Sequence, residues 1–154
     1  MKRRPKPELQ PASRLTYRGV VYPWQCDSMG HLTTRCYMGM FDDASFHFVH
    51  EIGFRTSMLR EARIGWADVE HTIEYLKELN AGDLIWIESR PLALSARSVR
   101  YLHEMKHCET HQVHARMLAT TVQFDLERRK AIPVVTEVRN AIQAWLITKK
   151  SSAG

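Results

Sequence analysis

The chain has 154 residues, 44% hydrophobic and 25% charged, which is typical of one soluble globular domain and too short for two. No segment approaches the roughly 18 apolar residues of a membrane span, and the basic N-terminus lacks the apolar run of a secretory signal. The net charge of +5 comes from the ends, +3 from residues 1–13 and +2 from the last seven, so solvated tails are expected and neither nucleic acid nor membrane is a predicted partner.

The first predicted elements are a tail, a strand and a long helix. Residues 1–13 are Pro-rich and polar, so we predict a disordered tail there and another at 149–154, around a single domain at 14–148. A strand is predicted over 15–22 and a helix over 33–52.

The helix is apolar around most of its circumference, which predicts that protein surrounds it on several sides. Gly39 in its interior costs roughly 1 kcal/mol of helix propensity against Ala, so we expect another backbone to approach closely there.

Strands dominate the rest of the chain, with a short amphipathic helix at its end. Pro91 predicts an edge strand or a bulge. This order predicts an α+β fold in which a curved antiparallel sheet wraps around the one long helix. Because such a sheet has free edges, we expect a homodimer or a homotetramer. The predicted strands cover 68–76, 84–93, 98–106 and 112–125, and the helix covers 136–147.

The loop before the long helix carries the clearest chemical signal. Asp27 lies in a Gly-containing loop, where its carboxylate would stand beside the unpaired N–H groups of a helix N-terminus. Such a site can activate water and stabilise an oxyanion, which predicts a hydrolase acting on an activated acyl group.

The same segment resembles a known family. The order of elements is a strand, a loop with Asp-x-x-Gly-His, a helix and four further strands. Over about residues 16–142 this order resembles the hotdog-fold acyl-CoA thioesterases of the 4-hydroxybenzoyl-CoA thioesterase type. The sequence departs from many relatives at Gln25, where they carry a first acid, and at Thr33 and Thr34, where they carry Asn-Asn. The matching positions are Asp27, Met29, Gly30, His31, Tyr37, Phe41 and Ala44, followed by 73–76, 82–83, 122–125 and 129–130.

The resemblance implies that Asp27 is catalytic, as general base or as nucleophile. As an alternative, Asp27 is a turn or N-cap residue. The backbone N–H of Thr34 is the expected oxyanion donor, while the hydroxyls of Thr33 and Thr34 can also cap the helix. Gly30 either brings the loop close to the acyl group or adopts positive φ. His31 either bonds near the thioester or fixes the loop.

Candidate substrate contacts are less specific. Thr33 and Tyr37 are candidate substrate-binding residues. His71 is a candidate for the acyl pocket, with a satisfied core histidine as the alternative. For the phosphates of coenzyme A the resemblance implies basic sheet and loop positions, and guanidinium groups suit phosphate geometry. Solvated surface charge is the alternative for each of them. These candidates are Arg97, Ser98, Arg100 and Arg129.

Neither metal nor cofactor is predicted. Four histidines, spaced as helical metal ligands would be, lie in a segment that is predicted to form strands and a turn, where one face repeats every second residue. The three cysteines, Cys26, Cys36 and Cys108, predict free thiols in a reducing cytoplasm. The histidines are His103, His107, His111 and His114.

We therefore predict a cytoplasmic acyl-CoA thioesterase in which coenzyme A belongs to the substrate. Hydrolysis of acyl-carrier-protein thioesters is a variant of this function. An acyl-CoA binding or sensing module without turnover is the rival from another class, and a hydratase would need a His/Asp pair that no motif here supplies.

Overall fold

A computed structural model describes residues 10–148; the predicted tail residues 1–9 and 149–154 lie outside it. Within these bounds a six-stranded sheet is combined with three α-helices. The strands are β1 (Arg14–Val20), β2 (Ile64–Tyr75), β3 (Leu84–Leu94), β4 (Ser98–His107), β5 (Val113–Asp125) and β6 (Lys130–Ala131). The helices are α1 (Thr34–Glu51), α2 (Thr56–Arg60) and α3 (Thr136–Leu146), and a short 3₁₀ turn (Pro23–Gln25) precedes α1.

The sheet is antiparallel with the strand order β1-β3-β4-β5-β2, and β6 is added to β5. Register shifts interrupt four of the pairings, and bulges of this kind bend strands and increase twist. Because β1 and β2 stand at the two ends of the strand order, they form the two long edges of the curved sheet. The predicted arrangement, a curved antiparallel sheet around one long helix, is confirmed.

One stripe of α1 is buried against the concave face of this sheet. Its members are Tyr37, Met40, Phe41, Ala44 and Phe48. The opposite side of α1 is open to solvent in the single chain, as the 70% exposure of Phe46 shows. A Cβ added at Gly39 would meet nothing within 4 Å, so the close backbone approach expected there is not found within the described residues.

The C-terminal helix packs over β3 and completes the core. Its Trp145 is buried and contacts Phe48, with ring centroids 5.6 Å apart. Trp145 also donates its indole N–H to the carbonyl of Ala12 at 2.6 Å. The Ala12 N–H donates in turn to the carbonyl of Thr148 at 3.0 Å. Backbone that the sequence assigns to the N-terminal tail is thus hydrogen bonded to Trp145 of α3 and to Thr148, two residues beyond the end of that helix.

One strand begins earlier than the sequence predicts, whereas the bulge predicted at Pro91 is found. β2 begins at Ile64, four residues early, because its first residues pair with β5 from Asp125 onward. Pro91 stands in β3 two residues beyond Ser89, the last β3 residue that pairs with β1, and the register with β4 shifts immediately after it. A bulge accommodates the proline, since proline has no N–H to donate to the ladder.

Candidate active site

A tight turn presents Asp27 in front of α1. The Gly30 N–H donates to the Asp27 carbonyl at 3.0 Å, and the Asp27 N–H donates to the His31 carbonyl at 2.9 Å. Gly30 has φ 84°, a left-handed conformation that a Cβ would strain. The conformational role considered for Gly30 is therefore the one observed.

The two carboxylate oxygens of Asp27 have different surroundings. Oδ1 accepts hydrogen bonds from the N–H groups of Met29, at 2.8 Å, and His31, at 3.3 Å. Within residues 10–148, Oδ2 has no hydrogen-bond partner. Asp27 is thus a turn residue through one oxygen, while the other oxygen is available for chemistry.

The N-terminus of α1 leaves backbone donors free beside this turn. Thr33 is the N-cap residue, but its hydroxyl makes no capping hydrogen bond, so the capping role considered for it is not observed. Among the described residues, the N–H groups of Thr34 and Arg35 have no acceptor. The first turn of α1 contains no acidic side chain to neutralise the positive end of the helix.

Asp27 and Thr34 line one surface depression of about 370 Å³. The end of β2 and the loop after it form its other wall. Thr33 and Gly30 are not among the lining residues, whereas His31 and Tyr37 are. The lining residues are Asp27, Met29, His31, Leu32, Thr34, Tyr37, Tyr75, Leu76, Lys77 and Glu78.

His31 fastens the loop to the opposite wall. Its Nε2 lies 3.1 Å from Oε2 of Glu78, and its backbone forms a bridge with Asn80. The next residue, Leu32, donates its N–H to Leu79 at 2.8 Å. These contacts are those expected of a loop-fixing residue.

Tyr37 closes the inner end of the depression. Its ring meets Tyr75 edge to face, with centroids 5.1 Å apart. Burial, aided by the nearby Tyr75 and Glu78, raises the pKa of Tyr37 to about 12. The phenol is therefore protonated at neutral pH.

His71 lies on the concave face of β2 but does not line the depression. Its side chain is 25% exposed, and Nε2 lies 3.1 Å from Oδ2 of Asp68. It is therefore neither a buried core histidine nor, in the single chain, part of the depression around Asp27.

The candidate phosphate-binding residues lie at the other end of the sheet. Ser98 pairs with Val122 of β5, whereas Tyr75, at the depression, pairs with Ala115. Seven residues of strand separate the two levels by roughly 23 Å. Arg97 precedes Ser98 and Arg129 follows β5, so both lie beyond the distant level, where Arg129 packs on the ring of Phe124 at 5.2 Å. Arg100 pairs with Thr120 and so lies five residues of strand, roughly 17 Å, from the level of Tyr75. A single chain does not bring these residues to Asp27.

A polar cluster in the core was not predicted. His103 is fully buried; its Nδ1 is hydrogen bonded to Ser89 and its Nε2 lies 3.0 Å from Oγ of Ser45. Ser45 also contacts the hydroxyl of Tyr101 at 3.2 Å, and Ser89 contacts Thr16 at 2.6 Å. Burial, with a smaller contribution from His71, lowers the pKa of His103 to about 3. The alternation of Val99, Tyr101, His103 and Met105 along β4 is the sequence signal that places this histidine inward.

The other histidines that were considered as metal ligands are dispersed. His107 and His114 have ring centroids 5.6 Å apart, while His111 packs against Trp86. Within residues 10–148 no group of three or more His, Cys, Asp or Glu side chains is arranged to hold a metal ion. The three cysteines are free, as predicted.

The length and hydropathy of the helices within residues 10–148 were compared with those of a membrane span. None of them combines the length and the apolar character needed to cross a bilayer.

The sequence matches the thioesterase-like superfamily over residues 21–146. Comparison with curated proteins gave no significant match. Several solved structures have the same fold. A Staphylococcus aureus protein solved in complex with CoA has a TM-score of 0.83 at 13% identity, over 92% of this chain and 90% of its own.

Two further structures are those of named thioesterases. A gentisyl-coenzyme A thioesterase is 26% identical, with a TM-score of 0.72 over 82% of this chain and 98% of its own. A 1,4-dihydroxy-2-naphthoyl-CoA thioesterase from Synechocystis is 20% identical, with a TM-score of 0.73 over 84% and 95%. The predicted hotdog fold is confirmed. The chain belongs to the thioesterase-like superfamily, and its reaction class is thioester hydrolysis.

Proposed function

We propose that this protein hydrolyses an acyl-CoA to the free acid and coenzyme A, with Asp27 as its catalytic carboxylate. The observation that carries the proposal is the shared depression, which is lined by Asp27 and by Thr34. Within residues 10–148, Oδ2 of Asp27 has no hydrogen-bond partner and the Thr34 N–H has no acceptor. A thioester carbonyl needs these two functions, one group that drives attack and one that stabilises the resulting negative charge.

The proposed reaction uses these two groups. The thioester carbonyl oxygen accepts the Thr34 N–H, and the positive end of α1 stabilises the charge that develops there. As general base, Asp27 takes a proton from water while the hydroxide adds to the carbonyl carbon. Collapse of the adduct breaks the C–S bond, and the leaving thiolate takes the proton from Asp27. As nucleophile, the same oxygen would attack the carbon directly, and collapse of the adduct would break the C–S bond to give an anhydride and the thiolate. Water would then cleave the anhydride to the free acid and the Asp27 carboxylate, and the proton released would go to the thiolate.

Coenzyme A is proposed as the thiol carrier, in preference to an acyl-carrier protein. The names of two structural neighbours specify CoA thioesters, and a third was solved in complex with CoA. Lys77, at the rim of the depression, supplies a cation near the site, although its amine is hydrogen bonded to Gln112. The arginines on the far end of the sheet reach such a substrate only if a second chain brings its own copy of that end alongside.

The exposed edge of β2 supports a homo-oligomer. Within residues 10–148, one side of this long strand has no neighbouring strand, and its Val69 and Tyr75 are 60% and 50% exposed. Antiparallel self-pairing across a two-fold axis would satisfy the backbone groups and bury these side chains. Light scattering should then give twice or four times the chain mass of 17.9 kDa.

The test is thiol release from short, branched, long and aromatic acyl-CoAs by the wild type and by Asp27→Asn. Asn retains an oxygen that can accept the Met29 and His31 N–H groups, so the turn should persist. We expect kcat to fall by about 10²- to 10⁴-fold. Ser28→Ala, an exposed change in the same loop, is the matched control and should retain full turnover.

Unchanged turnover in a folded Asp27→Asn protein would overturn the mechanism. Binding of acyl-CoA without hydrolysis by the wild type would instead favour the sensing module.

A further inference from the structure

The loop that carries Asp27 is held at its entry by the connection between β2 and β3. We call residues 79–83 of this connection the clamp. Where the loop begins, the Val21 N–H donates to the carbonyl of Asp83 at 2.9 Å. The Gly82 N–H donates back to the carbonyl of Val21 at 2.8 Å. Val21 is fully buried, so the entry of the loop is fixed between the core and the clamp.

The clamp also holds the exit of the loop. The backbone of His31 forms a bridge with Asn80, and the Leu32 N–H donates to the carbonyl of Leu79 at 2.8 Å. Leu32 and Leu79 are both buried. Residues 22–30 therefore extend to the candidate active site from a base whose two sides are fixed by one segment.

The side chain of Asp83 fixes the shape of the clamp. Its Oδ2 accepts the Asn80 N–H at 2.8 Å, and the Asp83 N–H donates to the carbonyl of Asn80 at 3.1 Å. Gly82 completes the turn with φ 95°, in the left-handed region that favours glycine. The carboxylate that shapes the turn thus belongs to the same residue whose carbonyl accepts the Val21 N–H.

His107, at the end of β4, faces the other oxygen of this carboxylate. Its Nε2 lies 3.5 Å from Oδ1 of Asp83, and the two side chains are 13% and 24% exposed. Nδ1 of His107 accepts the N–H groups of Glu109, at 3.1 Å, and Thr110, at 3.4 Å. Since Nδ1 is an acceptor, Nε2 carries the proton of the ring. The turn after β4 therefore selects the tautomer that presents an N–H to the clamp.

A second histidine anchors the residue that precedes the clamp. Nδ1 of His114, on β5, lies 2.8 Å from the carbonyl of Glu78, which can only accept, so Nδ1–H is the donor. The rings of His107 and His114 are neighbours, with centroids 5.6 Å apart. The clamp is thus attached to β4 and β5, which are both interior strands of the sheet.

We propose that Asp83 and His107 are positioning residues for Asp27. Neither is among the residues that line the depression. They fix the clamp, and the clamp fixes the distance between the Asp27 carboxylate and the Thr34 N–H of α1. A displacement of about 1 Å between reacting groups can cost about 100-fold in rate, so kcat depends on this support. The inference rests on the proposed function and adds the residues that hold its catalytic carboxylate in place.

The test compares thiol release from an acyl-CoA by variants of these two residues. Asp83→Ala removes both contacts of the carboxylate, so kcat should fall by about 10- to 100-fold while KM changes less than about threefold. Asp83→Asn can still accept the Asn80 N–H and should recover part of the rate. His107→Leu removes one contact and should lower kcat by about two- to tenfold, with no further effect when Asp83 is already Ala.

The Asp27→Asn background shows whether Asp83 acts through Asp27. In that background Asp83→Ala should lower the residual turnover by less than about twofold, because no catalytic carboxylate remains to be displaced. A residue that only stabilised the fold would lower turnover by the same factor in both backgrounds. Equal factors would therefore overturn the inference.

Asp125→Ala is the matched control. Oδ1 of Asp125 accepts the N–H groups of Glu127, at 2.9 Å, and Arg128, at 2.8 Å, so this carboxylate also shapes a turn. Asp125 pairs with Ile64, at the opposite end of β2 from the depression. Its loss should lower the midpoint of chemical denaturation but leave kcat unchanged. If kcat fell as far as in Asp83→Ala, general destabilisation would explain both losses and the inference would fail.

Amide hydrogen exchange separates this inference from the proposed function, because it needs no turnover. If Asp27→Asn keeps full turnover, the mechanism fails while the clamp is still tested. Asp83→Ala should speed exchange at the Gly30 and Leu32 N–H groups by about tenfold, the effect of losing about one net hydrogen bond, whereas Asp125→Ala should not. Unchanged exchange overturns the inference. His107→Leu supplies the same comparison should Asp83→Ala fail to fold.

Discussion

Nε2 of His103 lies 3.0 Å from Oγ of Ser45, so a hydrogen bond between side chains links α1 to β4 inside the core. Ser45 also lies 2.9 Å from the carbonyl of Phe41, which can only accept. Its single proton is used there, so Ser45 accepts from Nε2–H of His103. Because burial lowers the pKa of His103 to about 3, the ring is neutral at neutral pH and its Nδ1 accepts from Ser89. This proton arrangement requires a neutral imidazole.

Ser45→Ala should destabilise the protein by about 1–3 kcal/mol, because it leaves the buried His103 N–H without an acceptor. Chemical denaturation followed by circular dichroism measures the loss. Ser57→Ala, an exposed change on α2, should shift the midpoint little. A loss for Ser45→Ala no larger than that of Ser57→Ala would show that the core hydrogen bond contributes nothing net.

His103 should make the fold sensitive to acid. Its pKa is about 3 when folded, against an ordinary value of 6.5. Between these values the unfolded chain binds the extra proton, so the stabilisation is fully present above pH 6.5 and is lost as pH falls toward 3. The slope from this group is at most about 1.4 kcal/mol per pH unit.

The measurement is the free energy of unfolding at several pH values from 7 down to 4. The His103→Gln protein should be less stable than the wild type at pH 7, but its free energy of unfolding should fall less steeply as the pH is lowered. His47→Gln, on the exposed side of α1, is the control and should follow the wild type. Parallel curves for wild type and His103→Gln would refute the prediction.

The sequence predicted the order of elements and the Asp27 loop because both depend on local signals. Strand periodicity, turn residues and the Gly30 position are properties of neighbouring residues. The His103 cluster joins α1, β1, β3 and β4, and only the assembled sheet brings Ser45 beneath Tyr101. The distance between Arg97 and Asp27 likewise depends on strand register, which no single segment specifies.

At Gly39 the sequence signal, a glycine inside a helix, led to the wrong expectation of a close neighbouring backbone. Glycine inside a helix is costly, and a close neighbour is its usual explanation, yet a Cβ there meets nothing within 4 Å. Gly39→Ala should therefore stabilise the monomer by about 0.5–1 kcal/mol. Denaturation at low protein concentration measures this gain. A loss instead would indicate that a second chain contacts this side of α1.

Gly30→Ala should have the opposite effect. Its φ of 84° strains any residue with a Cβ, at a cost of about 1–2 kcal/mol. The strain would also shift the turn that holds Asp27, so kcat should fall along with stability. Gly30→Asn, which tolerates the left-handed region better, should restore part of both, and failure of Asn to restore either would argue against a conformational role.

The contact between His31 and Glu78 should contribute more to the position of the Asp27 loop than to the stability of the protein. Glu78 is 72% exposed on its side chain, so solvent screens the interaction, and Glu78→Gln should cost less than about 1 kcal/mol. Gln can still accept from His31 and hold the loop, whereas Glu78→Ala removes the contact. We therefore expect kcat/KM to be nearly unchanged in Glu78→Gln and reduced in Glu78→Ala, with similar midpoints of unfolding. Equal activities would mean that the backbone bridge from His31 to Asn80 alone holds the loop against this wall.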